Sequence, residues 1–115
     1  MITYLKDFQF EKVEGPAGGK GTSLMAPLFD IGLMPHVRLL KIVELAPGGS
    51  VGEHAHDGEA ELYLMLEGSA TVYDGGSAFA ISAGDAHLCP SGSRHGIENT
   101  SGAPMRMLAI ITTEQ

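Results

Sequence analysis

Residues 48–68 read GGSVGEHAHDGEAELYLMLEG, and the fold prediction for this chain starts from that stretch. Successive side chains of a β-strand point to opposite faces, so a strand over residues 60–67 sorts its side chains into two sets. One face carries Glu61, Tyr63, Met65 and Glu67, and the other carries Leu62, Leu64 and Leu66. In the segment before it, His54 and His56 share one face in the same way. The stretch therefore predicts two neighbouring strands.

Outside this stretch, 16 Gly and 6 Pro residues divide the chain into short segments that alternate or are rich in β-prone residues. The segments lack a 3.6-residue period, which favours an all-β fold. Strands are predicted at 2–6, 9–13, 22–28, 37–46, 50–56, 60–67, 69–73, 77–81, 86–89, 94–99 and 105–112. Residues 15–21, GPAGGKG, predict a flexible loop, called the Gly-rich loop below.

Charge and composition exclude several partners. A net charge of −7 without a Lys/Arg cluster disfavours nucleic acid, because a negative field repels phosphate backbones. No run of about 18 apolar residues could span a bilayer, so we expect no membrane partner. The first residues lack the pattern of a secretion signal, and the default location is cytoplasmic. Cys89 is the only cysteine, so the chain has no internal disulfide.

His54 and His56 are the first candidate metal ligands. Residues two apart on a strand project from the same face, so two imidazoles can meet one ion. Glu61 follows five residues after His56, which allows a short turn and a neighbouring strand. A pair of surface histidines is the more common explanation of an isolated His-x-His pattern. The surrounding spacing decides between the two interpretations.

Two spacing patterns frame these residues. The first is Gly48, five residues, His54-x-His56, four residues, Glu61, six residues and Gly68. The second is Gly84, five residues, Pro90-x-Gly92, two residues, His95, three residues and Asn99. All ten positions resemble the two motifs of the cupin family in order and spacing. With one motif pair and a short gap between the motifs, the chain resembles a compact, single-domain cupin.

The resemblance implies an all-β double-stranded β-helix, a jelly-roll-like barrel, with residues 1–115 as a single cupin domain. Residues 1–21 are then an N-terminal arm and the Gly-rich loop, and the motifs lie at 48–68 and 84–99. The implied ligands of one divalent transition-metal ion are His54, His56, Glu61 and His95. Mn, Fe, Co, Ni, Cu and Zn suit imidazole and carboxylate ligands, whereas Ca and Mg prefer oxygen alone.

The resemblance implies a small metal-dependent enzyme of the dioxygenase, isomerase, decarboxylase or lyase type, acting on a small polar substrate. At six-coordination, four protein ligands leave two positions on the ion for that substrate. The alternative is a non-catalytic module that senses a sugar or a small acid through the metal. A third interpretation is a structural barrel without metal. The absence of a recognisable general base beyond the ligands adds weight to the non-catalytic alternative, while the enzyme stays the first interpretation.

Residues near the predicted ligands have two interpretations each. Tyr63 shares the face of Glu61 and is a candidate catalytic proton donor, although barrel packing also explains it. His87 and Cys89 share a face of the strand that leads to His95. His87 is a weak catalytic candidate, and a surface position is favoured; Cys89 is expected to be a small buried side chain.

Two polar residues outside the motifs are expected at the surface. His36 follows Pro35 in a turn and is expected in an exposed loop. Arg38 shares a face with Glu44 and could hold an acidic substrate if that face is the interior. We expect instead that Arg38 is a solvated charge, because charged side chains are mostly exposed.

The second face of the segment 60–67 needs a cover. Leu62, Leu64 and Leu66 would otherwise form an apolar surface in water. Either the N-terminal arm or a second copy of the chain covers them. We favour the second copy, so the predicted partners are a small-molecule ligand and an identical subunit in a homodimer.

Overall fold

The computed structural model describes residues 1–114, which form ten strands and three short 3-10 turns. The strands are β1 (Glu11–Glu14), β2 (Thr22–Pro27), β3 (Val37–Leu45), β4 (Ser50–Ala55), β5 (Glu59–Glu67), β6 (Ser69–Asp74), β7 (Ser77–Ser82), β8 (Ala86–Cys89), β9 (Arg94–Glu98) and β10 (Met105–Thr113). The 3-10 turns are Leu5–Asp7, Pro16–Gly18 and Ile31–Leu33. The predicted all-β fold is confirmed. Within the described residues, no helix is long and apolar enough to cross a bilayer.

The strands form two antiparallel sheets. The larger has the order β1-β2-β3-β10-β5-β8, and the smaller has the order β4-β9-β6-β7. The core lies between them, because Leu45, Met65 and Met107 of the larger sheet pack with Val72 and Ile97 of the smaller one. Two sheets facing each other around one core make the jelly-roll-like barrel that the resemblance implied.

The register of β5 decides which of its residues face the core. Opposed residues in a sheet share a face, and β10 places Ala109 opposite Tyr63 and Ile110 opposite Leu62. Tyr63 is buried, whereas Leu66 is 41% and Leu88 57% exposed on the outer side. The arm's strand β1 lies at the opposite edge of the sheet from β8. The arm therefore leaves this part of the outer face uncovered.

The first residues differ from the prediction. The strand expected at 2–6 was wrong, because residues 1–10 pair with no strand and Leu5–Asp7 forms a 3-10 turn. Their apolar side chains, such as Ile2 and Tyr4, remain exposed, so burial does not stabilise an extended conformation. Pairing with β2 begins only at Glu11, opposite Met25.

The Gly-rich loop packs closely on β4. A Cβ on Gly19 would overlap the carbonyl oxygen of Ser50, and one on Gly52 would overlap that of Ala17. The backbone N–H of Lys20 donates to Ser50 Oγ at 2.8 Å, and the Ser50 N–H donates to the carbonyl oxygen of Lys20 at 2.9 Å. Glycine is required at these contacts because only hydrogen fits between the two backbones. The loop is thereby held at one end of the barrel.

Candidate metal centre

Three strands and one turn bring the four predicted ligands together. His54 on β4 lies directly opposite His95 on β9. His56 follows the end of β4 and keeps contact with the segment before β9, since its N–H donates to the carbonyl oxygen of Ser93 at 3.1 Å. Glu61 comes from β5, on the face turned toward the smaller sheet. The two sheets thus contribute ligands from opposite sides of the barrel.

The four side chains converge on one point. The distance from Glu61 Oε1 is 2.8 Å to His95 Nε2, 3.0 Å to His56 Nε2 and 3.2 Å to His54 Nε2. His95 Nε2 lies 3.1 Å from His54 Nε2 and 3.2 Å from His56 Nε2. Two ligand atoms about 2.1 Å from one ion and at right angles are separated by about 3.0 Å. The spacing fits one ion, and this group of four could hold a metal.

The other ring nitrogens of His54 and His56 face outward to hydrogen-bond acceptors. His54 Nδ1 lies 2.7 Å from the carbonyl oxygen of Gly52, and His56 Nδ1 lies 2.8 Å from Glu59 Oε1. An acceptor at Nδ1 assigns the ring proton to that nitrogen and leaves Nε2 with a lone pair. Lone pairs and a carboxylate oxygen are therefore aimed at each other, and a cation suits this donor set.

Glu61 is a charged carboxylate in a buried place. Burial raises the pKa of Glu61, but its contacts with His54 and His95 outweigh burial and lower the pKa to about 2. The pKa of His54 is raised, first by its contact with Glu61. Burial lowers the pKa of His95, which favours its neutral form. A buried carboxylate beside a neutral imidazole is a suitable environment for a positive ion.

The group opens onto a cavity of about 180 Å³. The Gly-rich loop supplies part of its wall through Pro16 and Ala17, and most of the remaining wall is apolar. The polar side chains that line it are Arg38, His54, His56, Glu61 and Tyr63. Sites for drug-sized ligands have volumes of about 300–1,000 Å³, so this cavity suits a smaller molecule.

Arg38 is exposed, with 52% of its side chain accessible, as predicted for a solvated charge, and it also lines this cavity. The pairing of β10 with β3 shifts between Ile111, opposite Leu39, and Thr112, opposite Val37. Arg38 is the extra residue of this bulge, and bulges redirect side chains. Its Nε and Nη2 donate to Glu59 at 2.7 and 2.8 Å, and this contact, followed by that from His56, lowers the pKa of Glu59 to about 2.

Tyr63, the first catalytic candidate, lines the cavity and stacks on the ring of His95, with centroids 4.7 Å apart. Burial, followed by the charge of Glu61, raises the pKa of Tyr63 well above its usual value, so the hydroxyl stays protonated. Cys89 is buried and lies outside the group of four. The exposed position expected for His36 is confirmed.

His87, the second candidate, was favoured at the surface and is in fact partly buried, with 13% of its side chain exposed. Its Nδ1 lies 3.5 Å from Nδ1 of His95, and its Nε2 lies 2.9 Å from Asp74 Oδ2. Sequence reasoning missed the roles of Glu59 and Asp74. In the sequence, Asp74 precedes Gly75 and Gly76, a pattern that indicates only a turn. For Glu59, the nearness to His56 in sequence was the one available signal.

Comparisons with known proteins identify the family and the fold. The profile of the cupin domain family matches residues 41–111. The oxalate-binding protein of Thermotoga maritima is 38% identical over 112 residues, which are 96% of this chain and 93% of that protein. A crystal structure from the same organism, described as a predicted oxalate decarboxylase, matches with a TM-score of 0.95 and 37% identity, covering 98% of this chain and 99% of that one. The tetracenomycin polyketide synthase protein TcmJ of Streptomyces glaucescens is 36% identical over 70 residues, which are 61% of this chain and 47% of that protein.

Proposed function

Because this chain belongs to the cupin family, we propose that it binds one divalent transition-metal ion and uses it to hold a small carboxylate such as oxalate. The ligands are His54, His56, Glu61 and His95. The observation that carries the proposal is the convergence of imidazole nitrogens and a carboxylate oxygen beside a small cavity. A bound ion supplies positive charge and ligand positions for oxygen atoms there.

The charges around the cavity favour an anion. A divalent ion and the Glu61 carboxylate sum to a net charge of about +1. Arg38 and Glu59 neutralise each other, and Arg38 donates to Glu59 through Nε and Nη2. A guanidinium carries five N–H donors in a planar fork, so further donors serve a ligand carboxylate without breaking this pair. Arg38 is therefore the group of the protein that we expect to bind the ligand's carboxylate.

The size of the cavity favours a small acid over a polyketide. A volume of about 180 Å³ lies below the range for drug-sized ligands, whereas a polyketide of drug size needs a cavity within that range. TcmJ is similar to this chain over part of its length, but the whole-length relative is the one whose name states oxalate binding.

The second candidate is a metal-dependent enzyme acting on the same acid. The observation that favours it is Tyr63, a protonated hydroxyl that lines the cavity close to Glu61. Decarboxylation leaves a carbanion that needs a proton, and a protonated tyrosine is a possible donor for that step. Ligand binding and turnover would use the same site, so analysis of the products distinguishes the two candidate functions.

The experiment loads the purified protein with Mn, Fe, Co, Ni, Cu or Zn and measures the metal content by elemental analysis. Titration calorimetry then compares oxalate with its uncharged diamide, oxamide. We expect one metal per chain, binding of oxalate and little binding of oxamide. A protein without stoichiometric metal, or one with equal affinity for both compounds, contradicts the proposal. Formate and carbon dioxide are assayed with and without oxygen; their release supports the enzyme.

Arg38→Met tests the contribution of the guanidinium. We expect the metal content to stay unchanged and the affinity for oxalate to fall about tenfold or more, since truncating a charge-assisted contact costs about 1.5–3 kcal/mol. Arg94→Met is the matched control, because Arg94 is an exposed arginine that does not line the cavity. Equal oxalate affinity in both variants would contradict this role of Arg38.

We also propose that the outer face of β5 and β8 joins two copies of the chain. Leu66 and Leu88 are exposed there. In a dimer with a two-fold axis at this face, the exposed leucines of each copy would be buried against the other copy. Light scattering at micromolar concentration is expected to give the mass of a dimer, and Leu88→Glu the mass of a monomer. Phe79→Glu, on the other sheet, is the control. The cytoplasmic location stays a prediction.

A further inference from the structure

We propose that His87 and Asp74 are positioning residues that hold His95 in the form that binds metal. The proposal rests on the metal-binding function above. His95 is fully buried, and its Nε2 belongs to the convergent group, so its Nδ1 needs an acceptor elsewhere. His87 Nδ1, at 3.5 Å, lies in that place.

The donors and acceptors in the contacts of Asp74, His87 and His95 are assigned by starting from the Asp74 carboxylate and moving toward His95. Asp74 Oδ2 is an acceptor, so His87 Nε2 carries a proton and donates it at 2.9 Å. A neutral His87 then has a lone pair at Nδ1, which accepts from the Nδ1–H of His95. His95 Nε2 is left with a lone pair directed at the group of four. The carboxylate of Asp74 thus selects the tautomer of His95 through His87.

Strand register brings this chain of groups together. Asp74, the last residue of β6, lies directly opposite His95 on β9, and His87 on β8 lies directly opposite Tyr63 on β5. The ring of His95 is inclined by 11° to that of Tyr63 and by 25° to that of His87. A ring packed against two others cannot turn freely, so orientation and tautomer are both determined.

Comparison with the other two imidazole ligands shows why His95 depends on His87 and Asp74. His54 donates to a backbone carbonyl and His56 to the carboxylate of Glu59. The Nδ1 of His95 has an uncharged ring nitrogen as its acceptor. Without His87, the alternative tautomer becomes favourable, and it points a proton at Glu61 where the metal would bind.

The test measures the affinity for Co²⁺ by competition with a chelator, together with the visible spectrum of bound Co²⁺, which reports ligand geometry. His87→Leu removes the acceptor, and we expect affinity to fall about 10- to 100-fold and the spectrum to change. His87→Gln restores an acceptor oxygen and is expected to recover most of the affinity. Asp74→Asn keeps an acceptor but loses the charge, so a smaller loss than in His87→Leu is expected.

Leu88→Gln is the control for a change in the same strand, because Leu88 is exposed on the outer face. All four candidate ligands come from one chain, so its Co²⁺ affinity is expected to stay unchanged even where the proposed dimer separates. Circular dichroism establishes that each variant is folded. Unchanged Co²⁺ affinity and spectrum in folded His87→Leu would overturn the role of His87 and leave the metal function standing. A wild-type protein that binds no Co²⁺ would overturn both. Equal losses in the Leu and Gln variants would also overturn the proposal, because packing alone would explain them.

Discussion

Two groups of buried polar side chains in this barrel satisfy their hydrogen bonds in different ways. Asn99 donates through Nδ2 to the carbonyl oxygens of Leu45 and Ala103, both at 2.8 Å. Its Oδ1 accepts from the backbone N–H of Ser101 at 3.0 Å and from Ser101 Oγ at 2.7 Å. Each donor of this amide meets an acceptor, and each acceptor meets a donor.

The group around Glu61 differs because acceptors face acceptors. The Nε2 atoms of His56 and His95 lie within 3.2 Å of each other and of the carboxylate oxygen. Burial alone therefore does not identify a functional site, since Asn99 is as buried as His95. The direction of the donors and acceptors identifies the site. Buried groups in which donors meet acceptors stabilise the fold, whereas acceptors that converge on one point suit a cation.

The largest expected effect is the loss of metal on removal of one ligand. Losing only a hydrogen-bond partner of a ligand costs about 10- to 100-fold in metal affinity, so His95→Ala is expected to cost more than about 100-fold. Elemental analysis after dialysis should find no stoichiometric metal. His36→Asn, which changes an exposed histidine at a φ of 64°, should retain it. Full metal content in His95→Ala would contradict the assignment of the group around Glu61 as the metal site.

Asn99→Ala is expected to destabilise the fold without preventing metal binding. It leaves the carbonyl oxygen of Leu45 without this donor, which costs about 1–3 kcal/mol for a buried group, and it removes the hydrogen bonds that Ser101 donates, each worth about 1 kcal/mol. Urea unfolding should show a loss of about 2–4 kcal/mol relative to Thr100→Val, a neighbouring exposed change. One metal per folded chain should remain. If metal is lost as well, the two groups are not independent.

Removal of the metal should lower the stability by a smaller amount. A ligand at 100 times its dissociation constant stabilises the native state by about 2.7 kcal/mol, and chelation removes this contribution. Thermal unfolding with and without chelator measures the difference, and His95→Ala serves as the control that should not respond. An equal response in that variant would assign the effect to another site.

Ser101→Ala is expected to have the smallest effect. It removes the Oγ donor to Asn99 Oδ1 but leaves the backbone N–H of Ser101 in place, so a loss of about 1 kcal/mol is expected. Urea unfolding beside Asn99→Ala gives the comparison. A loss as large as that of Asn99→Ala would show that the whole group acts through the hydroxyl.

Local strand geometry predicted that His54 and His56 share a face, whereas the resemblance to the cupin motifs implied the full ligand set with Glu61 and His95. The two-residue period of a strand places His54 and His56 on one face. Turn glycines such as Gly68 and Gly92, both at positive φ, allow the tight turns between strands. The face of the leucines in β5 followed from the same period. These features depend on residues close together in the sequence.

The remaining features depend on contacts between distant segments. Arg38 reaches the cavity through a bulge that exists only in the pairing of β3 with β10, and no periodic pattern reveals it. Asp74 supports His87 because β6 and β8 end near each other in space. The strand expected at 2–6 failed for the opposite reason, since suitable residues found no partner strand.

The contact between Gly19 and β4 lets one segment shape the cavity while other segments supply the candidate metal ligands. The Gly-rich loop lies outside both motifs, yet its Pro16 and Ala17 form part of the cavity wall. Ala17 is not a candidate metal ligand, but its positive φ of 51° favours residues such as Gly and Asn, whereas Gly19 must stay for the loop to dock. Changes in this loop could therefore alter ligand preference while the four candidate metal ligands stay in place, and a protein engineer could select variants there.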